Sequence, residues 1–295
     1  MAVLRALGLV ASTALAVASA SEPAPERIRY PQQEASPDRR SDYFLAVLEL
    51  ALSKSAAPFG AYQLMPADTG MQQARALESL LSQRHLDVVW TITSREREQQ
   101  LLPIRIPLDK GLYGYRVLLI RTGDQHRFDR VRTLGDLASL TAGQGHDWPD
   151  TKILRANGLK VETNSRYSSS FEMLARARFD YFPRGVSEIG PELRQHPALS
   201  LAMEQRLLLY YPSAMYFFVN PQAQRLAARL QSGLETALAD GSFDRLFHEH
   251  PAMQEALQLL RQPRRLLTLD NPLLPAETPL ATARYWYRAP APARQ

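Results

Sequence analysis

Cysteine is missing from all 295 residues, which excludes a disulfide framework and any thiolate metal centre. The core must hold by packing alone. Lysine is nearly as scarce: only Lys54, Lys110, Lys152 and Lys160 stand among the 35 basic residues. The arginines that make up the rest are scattered singly, with no basic stripe interleaved with aromatics. The net charge of +5 therefore does not read as a nucleic-acid surface. Also lacking is an apolar run of the roughly 20 residues that a bilayer crossing requires, so the chain does not read as an integral membrane protein. There is no H-E-x-x-H, no G-x-S-x-G and no clustering of the six histidines, so neither a metal nor a cofactor is implied.

What is present begins with a single cation, Arg5, followed by the small and apolar run L-G-L-V-A-S-T-A-L-A-V-A and then A-S-A. This is the pattern of a secretory signal over residues 1–20, with cleavage expected after Ala20. Roughly 275 residues remain, enough for one large domain or two small ones.

Beyond the signal, E-R-I-R-Y-P alternates as a strand does, and S-D-Y-F-L-A-V-L-E-L-A-L-S-K places Phe44, Val47, Leu48 and Ala51 at helical spacing. A-Y-Q-L reads as a second strand and residues 71–82 as a second helix with Ala74, Leu77 and Leu81 inward. H-L-D-V-V-W-T-I, near-continuously apolar, reads as a third strand in a parallel sheet covered on both faces. The pattern repeats after G-Y-R-V-L-L-I, and the chain crosses back through L-L-L-Y-Y-P-S-A-M-Y-F-F-V, two strands broken at Pro212. A long helix closes the block, with Asn220 as cap, Pro221 at its first position and Gly241 as stop. The organisation predicted is α/β, two lobes joined by two crossings, with a cleft between them.

The order helix, strand, T-I-T-S-R-E-R-E, Y-R-V-L-L-I, T-L-G-D-L-A-S-L-T-A-G-Q-G, F-E-M-L-A-R-A-R-F-D and A-L-A-D-G-S-F-D-R-L-F resembles the periplasmic solute-binding proteins of family 3, the amino-acid-binding type. The resemblance implies a type 2 periplasmic-binding fold with two hinge crossings. Its lobes would be residues 26–114 with 213–250, and residues 115–212; a Pro-rich strap at 251–295 follows, beyond the reach of the resemblance. It also implies a monomer in the periplasm that traps a small solute by hinge closure. The partner would be an inner-membrane permease of the ABC type or a sensor.

In such proteins a Thr or Ser followed three residues later by Arg grips the solute's carboxylate, and Ser94 and Arg97, beside Thr93, match that spacing here. A guanidinium offers two parallel donors to a carboxylate, and the strand end in an α/β cleft is where ligands bind. The other reading is that Arg95 and Arg97 pair with Glu96 and Glu98 on an exposed turn. A second anion-friendly element is A-G-Q-G-H-D-W-P-D-T, where Gly143 and Gly145 ahead of a helix are expected to offer free N–H groups. The alternative for these glycines is a tight turn. Trp90 and Trp148 are candidate cleft walls.

One departure bears on the ligand. Where the family supplies an acid for the solute's ammonium, this sequence has Arg184 and Gly185, and a cation there repels an ammonium. Either the solute carries a second anionic group and no free amine, or Glu188 substitutes for the missing acid, or amino-acid binding is lost; the expected solute is a small anion, amino acid or organic acid. Two other functions stay open: a ligand-sensing module, and a dehydratase-like or lyase-like enzyme using Glu188 or the adjacent His146 and Asp147.

The tail is the other departure. Pro272, Pro275 and Pro279, with Tyr285, Trp286 and Tyr287, predict an extended strap along a lobe or a docking surface.

Overall fold

The computed structural model describes residues 24–32 and 41–287. The expected signal at residues 1–20 and most of the polar loop at 32–40 lie outside them. In chain order the first elements are β1 (Glu26–Gln32), α1 (Asp42–Lys54), α2 (Ala56–Phe59), β2 (Tyr62–Gly70), α3 (Gln73–Leu81), β3 (Val88–Ile92), α4 (Arg95–Gln100) and β4 (Leu102–Ile104). Then follow β5 (Tyr115–Arg121), α5 (Gln125–Phe128), α6 (Leu134–Leu137), β6 (Thr141–Gly145), α7 (Pro149–Ala156), β7 (Lys160–Asn164), α8 (Tyr167–Ala175), β8 (Phe182–Gly185) and α9 (Ile189–Gln195). The last are β9 (Leu201–Met203), β10 (Leu207–Tyr210), β11 (Met215–Val219), α10 (Gln224–Ala239), α11 (Ser242–Glu249), α12 (Pro251–Leu260) and β12 (Arg265–Thr268). Among the described residues no helix is long and apolar enough to cross a membrane.

The first lobe holds a parallel β1–β2 pair and the sheet β3–β11–β4. α1 buries Phe44, Val47, Leu48 and Ala51, as its spacing predicts. It packs on α10, where a Cβ at Gly233 would meet the Ala51 carbonyl oxygen at 1.8 Å; only glycine lets the two helices approach this closely. α3 differs from expectation, since Ala76, Ser79 and Leu80 face inward and Leu81 is 39 % exposed. Its first turn is turned toward the cleft, where the Ala74 N–H donates to Asp147, so the core face shifts along the helix. β3 also differs: its ladder partner is β11, in antiparallel register from Val88↔Val219 to Ile92↔Met215. β11 re-enters from the other lobe in the opposite direction, and this reverses the pairing.

The second lobe is built on β5, flanked by antiparallel β8 and β10, with the parallel pair β6–β7 beside it. The two crossings expected between the lobes run through residues 105–114 and 211–214. They bond to each other: the Tyr211 N–H donates to the Gly114 carbonyl at 3.1 Å and the Leu108 N–H to Met215 at 2.9 Å. A side chain on Gly114 would meet the Tyr211 carbonyl oxygen at 2.5 Å, so a glycine is required where the crossings touch.

Two predicted details are corrected. Asn220 and Pro221 form a turn, with the Gln222 N–H donating to the Asn220 side chain, and α10 starts only at Gln224. The tail is not an extended strap from its start: Pro251 occupies the first position of α12, where a proline has no N–H to lose. β12 then adds to the second lobe's sheet, parallel to β10. The tail therefore crosses to the second lobe and, beyond β12, back toward the first.

Asp109 lies in the first crossing, fully buried, and accepts from the backbone N–H groups of Gly111 at 3.1 Å and Tyr113 at 2.6 Å. Burial pushes its carboxyl up to about 6, although these bonds and Arg116 pull the other way. The unfolded carboxyl titrates at about 4, so between these values the native state holds more protons than the unfolded chain. Acidification from pH 7 toward pH 4 therefore favours folding through this group, by at most about 1.4 kcal/mol per pH unit. Urea unfolding of the native chain and Asp109→Asn across that range should show the native chain gaining stability relative to the variant as pH falls, with no divergence above pH 7.

Candidate functional site

The strand ends of both lobes converge on a cavity of about 460 Å³. Phe44, Trp90 and Thr91 line it from the first lobe, and Tyr113, Trp148 and Tyr167 face them from the crossing and the second lobe. The aromatic walls are layered. Trp90 stacks on Phe44 at 6.3 Å, and Trp148 stacks on Phe182 at 6.2 Å with planes 15° apart. Such walls suit the apolar body of a small organic molecule. Across the mouth the lobes touch through the Ala74 N–H and Asp147 Oδ2 at 3.2 Å, and through the exposed pair Lys152 and Glu96 at 3.2 Å.

Two arginines line the cavity, and both are already matched by carboxylates. Arg184, 3 % exposed, is forked onto Glu192 with contacts from 2.6 to 3.0 Å and reaches Glu188 at 3.0 Å. Burial opposes its charge, but Glu188 and Glu192 more than compensate and hold the guanidinium above its ordinary range. It also lies over Trp148, 5.0 Å from the ring centroid. Arg116, on β5, pairs with Asp150 at 2.7 Å and with Glu188 at 3.5 Å, and donates to the Tyr211 hydroxyl at 2.9 Å. Tyr211 in turn bonds Asp150. Burial opposes this charge too, and Asp150 first among its neighbours restores it. Glu188 accepts from the Tyr113 hydroxyl at 2.7 Å and from the Gly185 N–H at 2.9 Å.

Arg97 differs from both. It is 9 % exposed and sits behind the wall. Its guanidinium donates to the Thr91 hydroxyl, the Ile92 carbonyl and the Gln73 amide oxygen, each at 2.6 Å. Thr91, Ile92 and Gln73 all line the cavity. Among the described residues no carboxylate pairs with Arg97; burial pulls it down to about 10, with more distant Asp147, Asp150 and Glu96 opposing.

The predicted site residues fall into two groups. Trp90, Gly145, Trp148, Arg184 and Glu188 line the cavity; Thr93, Ser94 and Arg97 do not. Ser94 is the N-cap of α4 and accepts from the Arg97 N–H at 3.2 Å, while the buried Thr93 hydroxyl donates to Glu98 at 2.5 Å. The exposed-turn pairing does not form for Arg97, since Glu98 is held by Arg105 and Glu96 by Lys152. The glycine-rich stretch is no open cradle. Gly143 and Gly145 belong to β6, and the N–H groups of Gly143 and His146 donate to Tyr181 and Asn164. A Cβ at Gly143 would strike the Phe179 ring at 2.2 Å, and one at Gly145 the Trp148 ring at 2.6 Å, so these glycines make room for aromatic rings. The expectation that Arg184 repels an ammonium also fails, because Glu192 and Glu188 neutralise it. Sequence reasoning passed over Arg116, Asp150, Glu192, Gln73 and Tyr113 as site residues. A charge inside the apolar run Y-R-V-L-L-I was the available signal, because a buried strand cation demands a partner.

The chain matches no protein-family model and no curated protein by sequence. By structure it matches a Salmonella typhimurium periplasmic binding protein of high arginine specificity, with a TM-score of 0.58, 16 % identity, and 76 % of this chain and 98 % of that one covered. The substrate-binding protein of an amino acid ABC transporter matches with a TM-score of 0.55 and 13 % identity, over 76 % and 98 % of the two chains. A histidine kinase sensor domain similar to periplasmic binding proteins matches at 0.53 and 15 %, over 76 % and 94 %. The chain has the type 2 periplasmic-binding fold. At these identities the likeness is one of fold, and nearly all of each matching chain is covered while 76 % of this one is.

The Arg184 site yields a stability prediction. Glu192→Ala leaves a buried guanidinium with only the shared Glu188, and should destabilise the protein by about 3–5 kcal/mol in urea unfolding. The double variant Arg184→Met, Glu192→Leu should recover most of that loss.

Proposed function

We propose that this protein is a periplasmic solute-binding protein that closes on a small solute bearing a carboxylate, an amino acid or an organic acid, and presents it to an inner-membrane transporter. The observation that carries the proposal is Arg97, a buried cation beside the cavity whose hydrogen-bond partners among the described residues are all neutral. Arg116 and Arg184 gain little from an incoming anion because carboxylates already neutralise them. Arg97 gains most, since a carboxylate brings an opposite charge and a two-oxygen fork to a guanidinium whose present acceptors are a hydroxyl, a carbonyl and an amide oxygen. The solute's carboxylate takes the place of the Gln73 amide oxygen, Thr91 stays in contact, and the organic body lies between the Phe44–Trp90 and Trp148–Tyr167 walls. Ser94 and Thr93 act as positioning residues that hold the first turn of α4.

Binding is favoured over turnover by the state of the acids. Glu188, the sequence's candidate acid, has both carboxylate oxygens engaged by Tyr113, Gly185, Arg184 and Arg116. Proton transfer needs a group free to exchange its proton with the substrate. The amino-acid-binding relatives in fold, among them the transporter component, support the solute class.

Isothermal titration calorimetry against the common amino acids and small mono- and dicarboxylic acids tests this. A solute that binds should lose about tenfold to a hundredfold in affinity in Arg97→Ala, the equivalent of about 1.5–3 kcal/mol for a hydrogen-bonded charge. Arg97→Lys should retain part of it. Full affinity in Arg97→Ala, with the fold intact by circular dichroism, would reject the assignment.

A further inference from the structure

The tail beyond β12 is fastened at points that span both lobes and both crossings. In the second lobe the Leu269 N–H donates to Tyr210 at 2.8 Å. Asp270 exchanges two bonds with Asn157 at the end of α7, at 2.8 and 2.9 Å. At the second crossing the Asn271 amide donates to the Pro212 carbonyl at 2.8 Å. In the first lobe the Arg95 N–H, at the first residue of α4, donates to the Leu273 carbonyl at 3.0 Å. At the first crossing the Tyr287 N–H donates to the Lys110 carbonyl at 2.8 Å, and Lys110 Nζ donates to the Arg284 carbonyl at 3.1 Å. Trp286 packs against Gly111, where a Cβ would come within 2.5 Å of its ring, and its indole N–H donates to the Pro279 carbonyl at 2.8 Å. Tyr287 packs against Phe247 of α11 with centroids 6.2 Å apart.

We propose that residues 269–287 form a splint across the hinge. In a two-lobed protein, closure and opening are absorbed by φ and ψ changes in the few residues of the crossings. Here Pro212 and Lys110–Gly111, one point in each crossing, are bonded to a third segment whose own ends are held by opposite lobes. Opening must break these contacts together or carry the splint with it. The lobes are therefore restrained near the arrangement seen here, and solute enters and leaves through release of the splint. Because Leu273 holds the first residue of α4, the same release loosens the helix that carries Arg97. The inference stands on the fold and its contacts, and not on which solute is bound.

The absence of cysteine makes a direct test simple. Glu78→Cys on α3 and Lys160→Cys on β7, both exposed, take a pair of spin labels on opposite lobes. Pulsed electron double resonance on the full chain should give one narrow interlobe distance. Removal of residues 271–295 should add a longer, broader population, and amide exchange at Tyr211, bonded to Gly114 across the crossings, should rise at least tenfold. Should the truncated chain fail to fold, Asn271→Ala combined with Trp286→Ala is measured in its place, with the same outcome expected. Unchanged distances and unchanged exchange in a folded splint variant would overturn the proposal.

Discussion

A guanidinium taken out of water must be given back what water supplied, and the arrangement of this cavity follows from that requirement. Three arginines are buried around one space, and they are satisfied in different currencies. Arg116 and Arg184 receive carboxylates, shared among Asp150, Glu188 and Glu192, with Tyr113, Tyr167 and Tyr211 filling the remaining oxygens. Removing one member leaves a charge stranded at low dielectric, so the network acts as a rigid floor. Arg97 receives a hydroxyl, a carbonyl and an amide oxygen. These satisfy its hydrogen bonds, and among the described residues only the more distant Asp147, Asp150 and Glu96 act on its charge. The two paired arginines shape the cavity, and Arg97 gives it polarity.

The same economy of contacts links the site to the hinge. α4 begins at the strand end, where Ser94 caps it and Leu273 from the tail accepts its first N–H. Six residues of helix cannot stand alone, since nucleation is costly and isolated short helices are marginal in water. The placement of Arg97 thus depends on the tail as well as on its own strand. On the opposite side, Asp147 takes the Ala74 N–H across the cleft, so α3 is held by a residue of the other lobe. Both of these first-lobe helices are thus fastened from outside their own lobe, α3 by the second lobe and α4 by the tail. The shape of the cavity is then a property of the assembled pair of lobes, and neither lobe defines it by itself.

Much of the architecture was legible before any coordinates, because it rests on local chemistry. The buried face of α1, the break at Pro212 between β10 and β11, the stop at Gly241 after α10 and the two crossings are written in hydrophobic period and in residues that permit only certain backbone shapes. Positions that depend on a neighbour from elsewhere are not legible in this way. The inward face of α3 differs from its period because its first turn answers to Asp147, 73 residues away along the chain. The apolar run of β3 suggests parallel neighbours because nothing local states that β11 returns antiparallel.

The site divides along the same line. The sequence by itself determined that the cleft would hold aromatics and a cation, since Trp90, Trp148 and Arg184 are brought to the cavity by their own strands and turns, with Arg97 just behind its wall. It could not state which cation is neutralised. Arg184 reads as free because Glu192 lies one helix further on, and the acidic residues that flank Arg97 in the chain leave an exposed turn as the alternative to an anchor. Only the tertiary structure decided that Glu98 turns to Arg105 and Glu192 to Arg184, and that the tail splices the crossings together. The physical reason is that period and propensity act through the backbone over a few residues, whereas charge pairing acts through space and goes to whichever partner folding brings within reach.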